Sequence, residues 1–102
     1  MARHLTVDLD PERQEIEALR EIAGDLTGTR VLEVGCGDGR LTRRYAAQAA
    51  SVLAIDPDAT AIDDARAQLD PWLNGIVEYR AAGIVGIDAG GLFDLAIMSW
   101  SL

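Results

Sequence analysis

Three glycines at alternate positions, Gly35, Gly37 and Gly39, stand in the segment VLEVGCGDGRLT between an apolar, β-branched run and a stretch with helical spacing. Lacking Cβ atoms, such positions reach positive φ at low cost and let other groups come close to the main chain. A single glycine is accounted for by a tight turn, but three so close together after an apolar run point to backbone that something must approach. The segment predicts a buried strand from Arg30 to Val34, a tight loop, and a helix in which Leu41, Tyr45 and Ala49 share the apolar face.

The flanking chain follows the same alternation. Asp10 and Pro11 read as the cap and first position of a helix whose Ile16, Leu19, Ile22, Ala23 and Leu26 are spaced for one face, ending around Gly28. His4 then belongs to an N-terminal tail. Ser51 to Ile55 is a second strand, closed by Asp56-Pro57-Asp58 and followed by a helix with Ile62, Ala65 and Leu69 on one side. Pro71 and Asn74-Gly75 interrupt the chain, Ile76 to Arg80 reads as a third strand, and a small-residue stretch leads to a fourth from Phe93 to Trp100. Strands alternating with helices predict a parallel sheet with right-handed crossovers, because parallel neighbours cannot be joined by a hairpin. The expected fold is α/β: a three-layer α/β/α Rossmann-like domain over residues 1–102, with strand order 3-2-1-4, helices on both faces, and the glycine loop at the carboxyl edge where such sheets bind ligands.

Size and charge narrow the function. A chain of 102 residues builds one core and one domain. Nine basic against 17 acidic residues give a net charge of −8, which argues against nucleic acid binding by this chain alone. No apolar run approaches the length of a membrane span, and the N-terminus lacks the pattern of a secretory signal, so the expected location is cytoplasmic. One cysteine and one histidine permit no internal disulfide and no ligand cluster, and no metal site is expected.

Asp56 closes the second strand twenty-one residues after Gly35, where a carboxylate beside the glycine loop is placed to accept two hydrogen bonds from a ribose diol. The competing reading makes Asp56 a turn residue before Pro57, with Asp58 as another candidate for the cap. A nicotinamide dinucleotide fingerprint wants its third glycine one position later, where Arg40 stands, and no Gly-Lys-Ser/Thr follows as a P-loop requires.

The run Glu33 to Gly39, EVGCGDG, resembles the first motif of the class I S-adenosylmethionine-dependent methyltransferases, an acidic residue followed by Gly-x-Gly-x-Gly. AIDPD and FDLAIMSWSL are similar to that family's second-strand acidic motif and fourth-strand segment. The resemblance implies that the loop residues Gly35, Cys36, Gly37 and Gly39 lie against the methionine portion of the cofactor. Glu33 would help order its polar groups, Asp56 would hold the ribose hydroxyls, and Pro57 would pack near the adenine. It further implies methyl transfer to an acceptor, expected to be a small molecule, by approximation of the sulfonium methyl and a nucleophile, so that no dedicated acid or base need stand in this half.

The chain also departs from the family pattern. Gly83 falls where a polar residue usually meets the adenine amino group, with Asp88 as a displaced substitute. Leu102 follows directly on the fourth strand, where the family continues into further strands and the acceptor pocket, so the chain reads as a truncated, cofactor-binding half. The outer side of the fourth strand is then an open edge, expected to draw self-association or a partner chain. A non-catalytic half-domain acting as a binding module is the alternative reading. Cys36 has no histidine to activate it and is not read as a nucleophile. Asp63 and Asp64 point in different directions on their helix and read as solvated surface. Trp100 is either part of a substrate site or a core residue left at a strand end.

Overall fold

The structure, a computed structural model, describes residues 5–9, 26–84 and 93–99. Its elements run β1 (Leu5–Leu9), β2 (Arg30–Val34), α1 (Thr42–Tyr45), a 3₁₀ turn (Ala46–Gln48), β3 (Ser51–Asp56), α2 (Ala59–Gln68), a second 3₁₀ turn (Pro71–Leu73), β4 (Val77–Ala81) and β5 (Leu95–Ser99). The four expected strands are β2, β3, β4 and β5. They lie in the expected order 3-2-1-4, which reads β4-β3-β2-β5 in the numbering of the structure, and every pairing is parallel. The fold is the Rossmann-like one.

One element was not expected. The residues before Asp10 form β1, which pairs in parallel with the outer side of β5, Leu5 opposite Leu95 through Leu9 opposite Ser99. Leu5, Val7 and Leu9 alternate with Thr6 and Asp8, the period-2 pattern of a strand, and this is the signal that identifies it. The expected open edge on the fourth strand is therefore corrected: β5 is hydrogen-bonded to a neighbour on both sides. Strand-driven association at that position loses its physical reason. The helix expected from Asp10, the loop containing Asp88, His4 and Trp100 lie outside the described residues.

The register puts Val31 and Glu33 of β2, Val52 and Ala54 of β3, Val77 and Tyr79 of β4, and Leu95 and Ile97 of β5 on one face of the sheet. All eight are buried. This face carries the core, which it shares with Leu41, Tyr45 and Ala46 after the glycine loop and with Ile62 and Ala65 of α2. Helix α2 owes its start to Asp58, whose side chain accepts from the backbone N–H groups of Thr60 and Ala61 at 3.0 and 3.3 Å. Its Asp63 and Asp64 are exposed, as expected, with Arg66 3.8 Å from Asp63 one turn along. At the amino edge, the Arg30 guanidinium donates to both oxygens of Asp94 at 3.0 and 2.9 Å, fastening the start of β2 to the segment that enters β5.

Candidate functional site

The glycine loop leaves β2 at the carboxyl edge of the sheet, and all three of its glycines have positive φ: 81° at Gly35, 58° at Gly37 and 83° at Gly39. Its amide groups face inward. Gly35 and Cys36 both donate to the carbonyl of Ile55, at 2.9 and 3.1 Å, and Gly39 donates to the carbonyl of Cys36 at 3.0 Å. Gly37 donates to the Asp56 carboxylate at 2.9 Å. A loop built to hold phosphate turns such groups outward toward the anion, in line with the start of a helix. Here the amides of Gly35, Cys36, Gly37 and Gly39 are spent on the protein, and α1 is only four residues long. The geometry disfavours a dinucleotide pyrophosphate on this loop and suits a ligand that meets it through close approach.

Asp56 stands at the rim of this loop with about 9% of its surface exposed. Oδ2 accepts from Gly37 N–H and Oδ1 accepts from Asp58 N–H, each at 2.9 Å. The ligand reading and the turn reading of Asp56 are thus compatible. One lone pair of each oxygen fixes the loop and the turn, and the remaining acceptor capacity of an ionised carboxylate can receive two hydroxyls. Pro57 follows, exposed at the same edge.

Glu33 lies deeper than Asp56. It is wholly buried on the core face beneath the loop, where Oε1 accepts from the Thr42 hydroxyl at 2.6 Å and the Tyr45 hydroxyl at 2.7 Å. A side chain sealed in this way braces the segment after the loop. Cys36 is likewise turned inward, 5% exposed, so its side chain belongs to the core and only its backbone belongs to the loop. Burial, followed by the charges of Glu33 and Asp56, pushes its thiol pKa far up, which disfavours the thiolate.

Beneath the loop lies one more group that the sequence did not single out. Tyr79, on β4, is 4% exposed, and its hydroxyl is buried without a hydrogen-bond partner. Burial pushes its pKa up to about 12, and Thr42 beside it opposes that rise. Burial and the charge of Glu33 also hold the Tyr45 pKa well above its usual range. The contact between Tyr79 and the loop joins residues forty positions apart, and no local pattern announces it. Gly83 is exposed, with open space where a Cβ would stand.

Comparison with known proteins agrees with this geometry. A family described as methyltransferase domain matches residues 31–102. The magnesium-protoporphyrin O-methyltransferase of Rhodobacter capsulatus is 38% identical over 84 residues, covering 82% of this chain and 37% of that protein. The ribosomal RNA small subunit methyltransferase C of Chromohalobacter salexigens is 36% identical over 88 residues, covering 86% of this chain and 26% of that protein. The crystal structure of magnesium protoporphyrin IX methyltransferase from Synechocystis PCC 6803, with bound S-adenosylhomocysteine, superposes with a TM-score of 0.65 at 24% identity, over 81% of this chain and 38% of that one. The chain thus spans between about a quarter and two-fifths of the length of these relatives. With the family matched from the first buried residue of β2 onward and the same fold around the glycine loop, the chain belongs to the methyltransferase-domain family.

Proposed function

We propose that this chain is the S-adenosylmethionine-binding part of a methyltransferase acting on a small-molecule acceptor. The observation that carries the proposal is the glycine loop with its amides turned inward and the Asp56 carboxylate at its rim. The residues present fit the cofactor. Asp56 has acceptor capacity left for the two ribose hydroxyls, the backbone at Gly35 and Gly37 offers close approach to the methionine portion, and exposed Pro57 offers an apolar surface beside the adenine. Cys36 contributes backbone alone, and Glu33 and Gly39 contribute by holding the loop in shape. When bound, the cofactor supplies an electrophilic sulfonium methyl. The work of this chain is to hold and orient the cofactor so that the acceptor meets the methyl in line, an effect of approximation that asks for no proton transfer from these residues.

Two considerations support a small acceptor. The porphyrin-specific relative is an O-methyltransferase, which supports an acceptor with a nucleophilic oxygen. The relative named for ribosomal RNA opens the other possibility, but a net charge of −8 is poorly suited to a polyanionic substrate. A cytoplasmic setting is supported by the lone, buried thiol, and among the described residues no helix is long and apolar enough to cross a membrane.

Isothermal titration with S-adenosylhomocysteine tests the proposal. Saturable heat at one site per chain is expected. A folded sample that gives no heat would remove the cofactor reading and leave the chain as a non-catalytic binding module.

A further inference from the structure

We infer that Tyr79 is a positioning residue for the glycine loop, and that position 39 is glycine in order to receive the tip of that side chain. A Cβ added at Gly39 would come well inside van der Waals contact distance of the Tyr79 hydroxyl oxygen, 3.0 Å from ring Cζ and 3.3 Å from Cβ of Ala65. Gly39 therefore clears room toward the protein. The motif that resembles a cofactor loop thus contains one glycine whose vacancy is filled by the fold itself.

The burial of the hydroxyl points the same way. The hydroxyl is out of water, and no well-formed hydrogen bond accounts for its place there. What the oxygen does in this structure is touch the loop. Tyr79 is held from behind: it is level with Ala54 of β3, and its own carbonyl accepts from the Arg66 guanidinium of α2 at 2.8 Å. Two residues further along the same pair of strands, Asp56 stands level with Ala81, and its backbone carbonyl accepts from Ala82 N–H at 3.0 Å. The loop is thereby fixed at two points by adjacent strands, at Gly37 by Asp56 and at Gly39 by Tyr79. The second contact sets the height at which the first presents its carboxylate.

The steric part of this inference stands independently; the effect on ligand affinity rests on the function proposed above. A cycle of four chains separates the two: the wild type, Gly39→Ala, Tyr79→Phe and the double variant. Each is measured by urea unfolding and by calorimetric titration with S-adenosylhomocysteine. A non-glycine residue at positive φ lowers the folding constant by roughly 5- to 30-fold (about 1 to 2 kcal/mol) through backbone strain alone. In the tyrosine background the overlap with the hydroxyl adds to that loss, and in the phenylalanine background the loss shrinks toward the strain alone. If Gly39→Ala does not fold, recovery of a folded double variant is the rescue. An equal loss in both backgrounds, or a double variant that also fails to fold, overturns the inference. Tyr79→Phe alone is expected to unfold at an equal or higher urea concentration while binding S-adenosylhomocysteine several-fold more weakly. Unchanged affinity in that variant overturns the positioning role. A wild type that binds no S-adenosylhomocysteine would instead refute the proposed function, and the unfolding cycle would still decide the contact between Gly39 and Tyr79.

Discussion

Glu33 and Asp56 are both carboxylates, both lie near the carboxyl ends of adjacent parallel strands, and the register places them on the same face of the sheet. They differ in depth. Glu33 is level with Ala54, two residues short of Asp56, a step of roughly 6 to 7 Å along the strand. That step separates a buried brace from a rim residue: Glu33 accepts from two buried hydroxyls beneath the loop, whereas Asp56 accepts from the loop itself and keeps a narrow opening to solvent. The lesson is that an acidic residue beside a glycine motif is assigned to the ligand or to the scaffold by its depth along the strand. Charge alone does not distinguish them.

The largest effect that would test this contrast is alkaline unfolding. Tyr45, Tyr79 and Cys36 all have pKa values raised by burial, so the folded chain keeps protons that the unfolded chain releases. The sign follows from this: stability is fully present below the ordinary values of 9.0 for the thiol and 10.0 for the phenols, and is lost as pH rises from there through about 12. The chain has two tyrosines, and both are buried under the loop. Tyrosinate absorbance should therefore rise in a single step, together with the loss of circular dichroism. A phenolate signal near pH 10 with the fold intact would mean that the underside is open to water.

Next in size is Glu33→Ala, which takes the acceptor from the Thr42 and Tyr45 hydroxyls and should cost about 3 kcal/mol of stability by chemical denaturation. Glu33→Gln keeps an acceptor oxygen and should cost clearly less. Equal stability of the alanine variant would show that the buried carboxylate is no brace. The smallest effect on folding, and the sharpest on binding, belongs to Asp56→Ala. Affinity for S-adenosylhomocysteine should fall by about 1.5 to 3 kcal/mol, roughly ten- to a hundredfold, because charge-assisted hydrogen bonds are lost. Stability should drop by about 1 to 2 kcal/mol, since two backbone donors, one buried and one part-buried, lose their acceptor. If Asp56→Ala harms folding as much as Glu33→Ala while leaving affinity alone, the assignment of rim and brace is reversed.

The strands and their order were legible because each is a short apolar run with turn residues at its end, and parallel topology leaves few arrangements. Asp56 was legible for the same reason: Pro57 stops the strand and leaves the carboxylate at the edge. The burial of Glu33 was not, since a charged residue between Leu32 and Val34 reads equally as a site residue and as a satisfied core group. Nor was Tyr79, whose alternation within VEYRA declares only that it faces inward, toward no named neighbour. β1 was legible in principle, because LTVDL alternates without a break, but Asp10 and Pro11 drew attention to the helix start beyond it. A strand at the beginning of a chain carries no mark of where in the sheet it will lie.

The position of β1 bears on how the chain reaches its fold. The pairs β2 with β3 and β3 with β4 join segments one crossover apart, whereas Leu5 finds its partner only at Leu95, ninety positions further along. Closing so long a loop costs more chain entropy than closing a single crossover and returns its contacts late. During synthesis β1 must wait until β5 has been made. The sheet therefore has a natural order of assembly, β2, β3 and β4 first and the β5–β1 pair last, and a ribosome-bound chain stopped before Leu95 would carry the glycine loop with one of its flanking strands still absent.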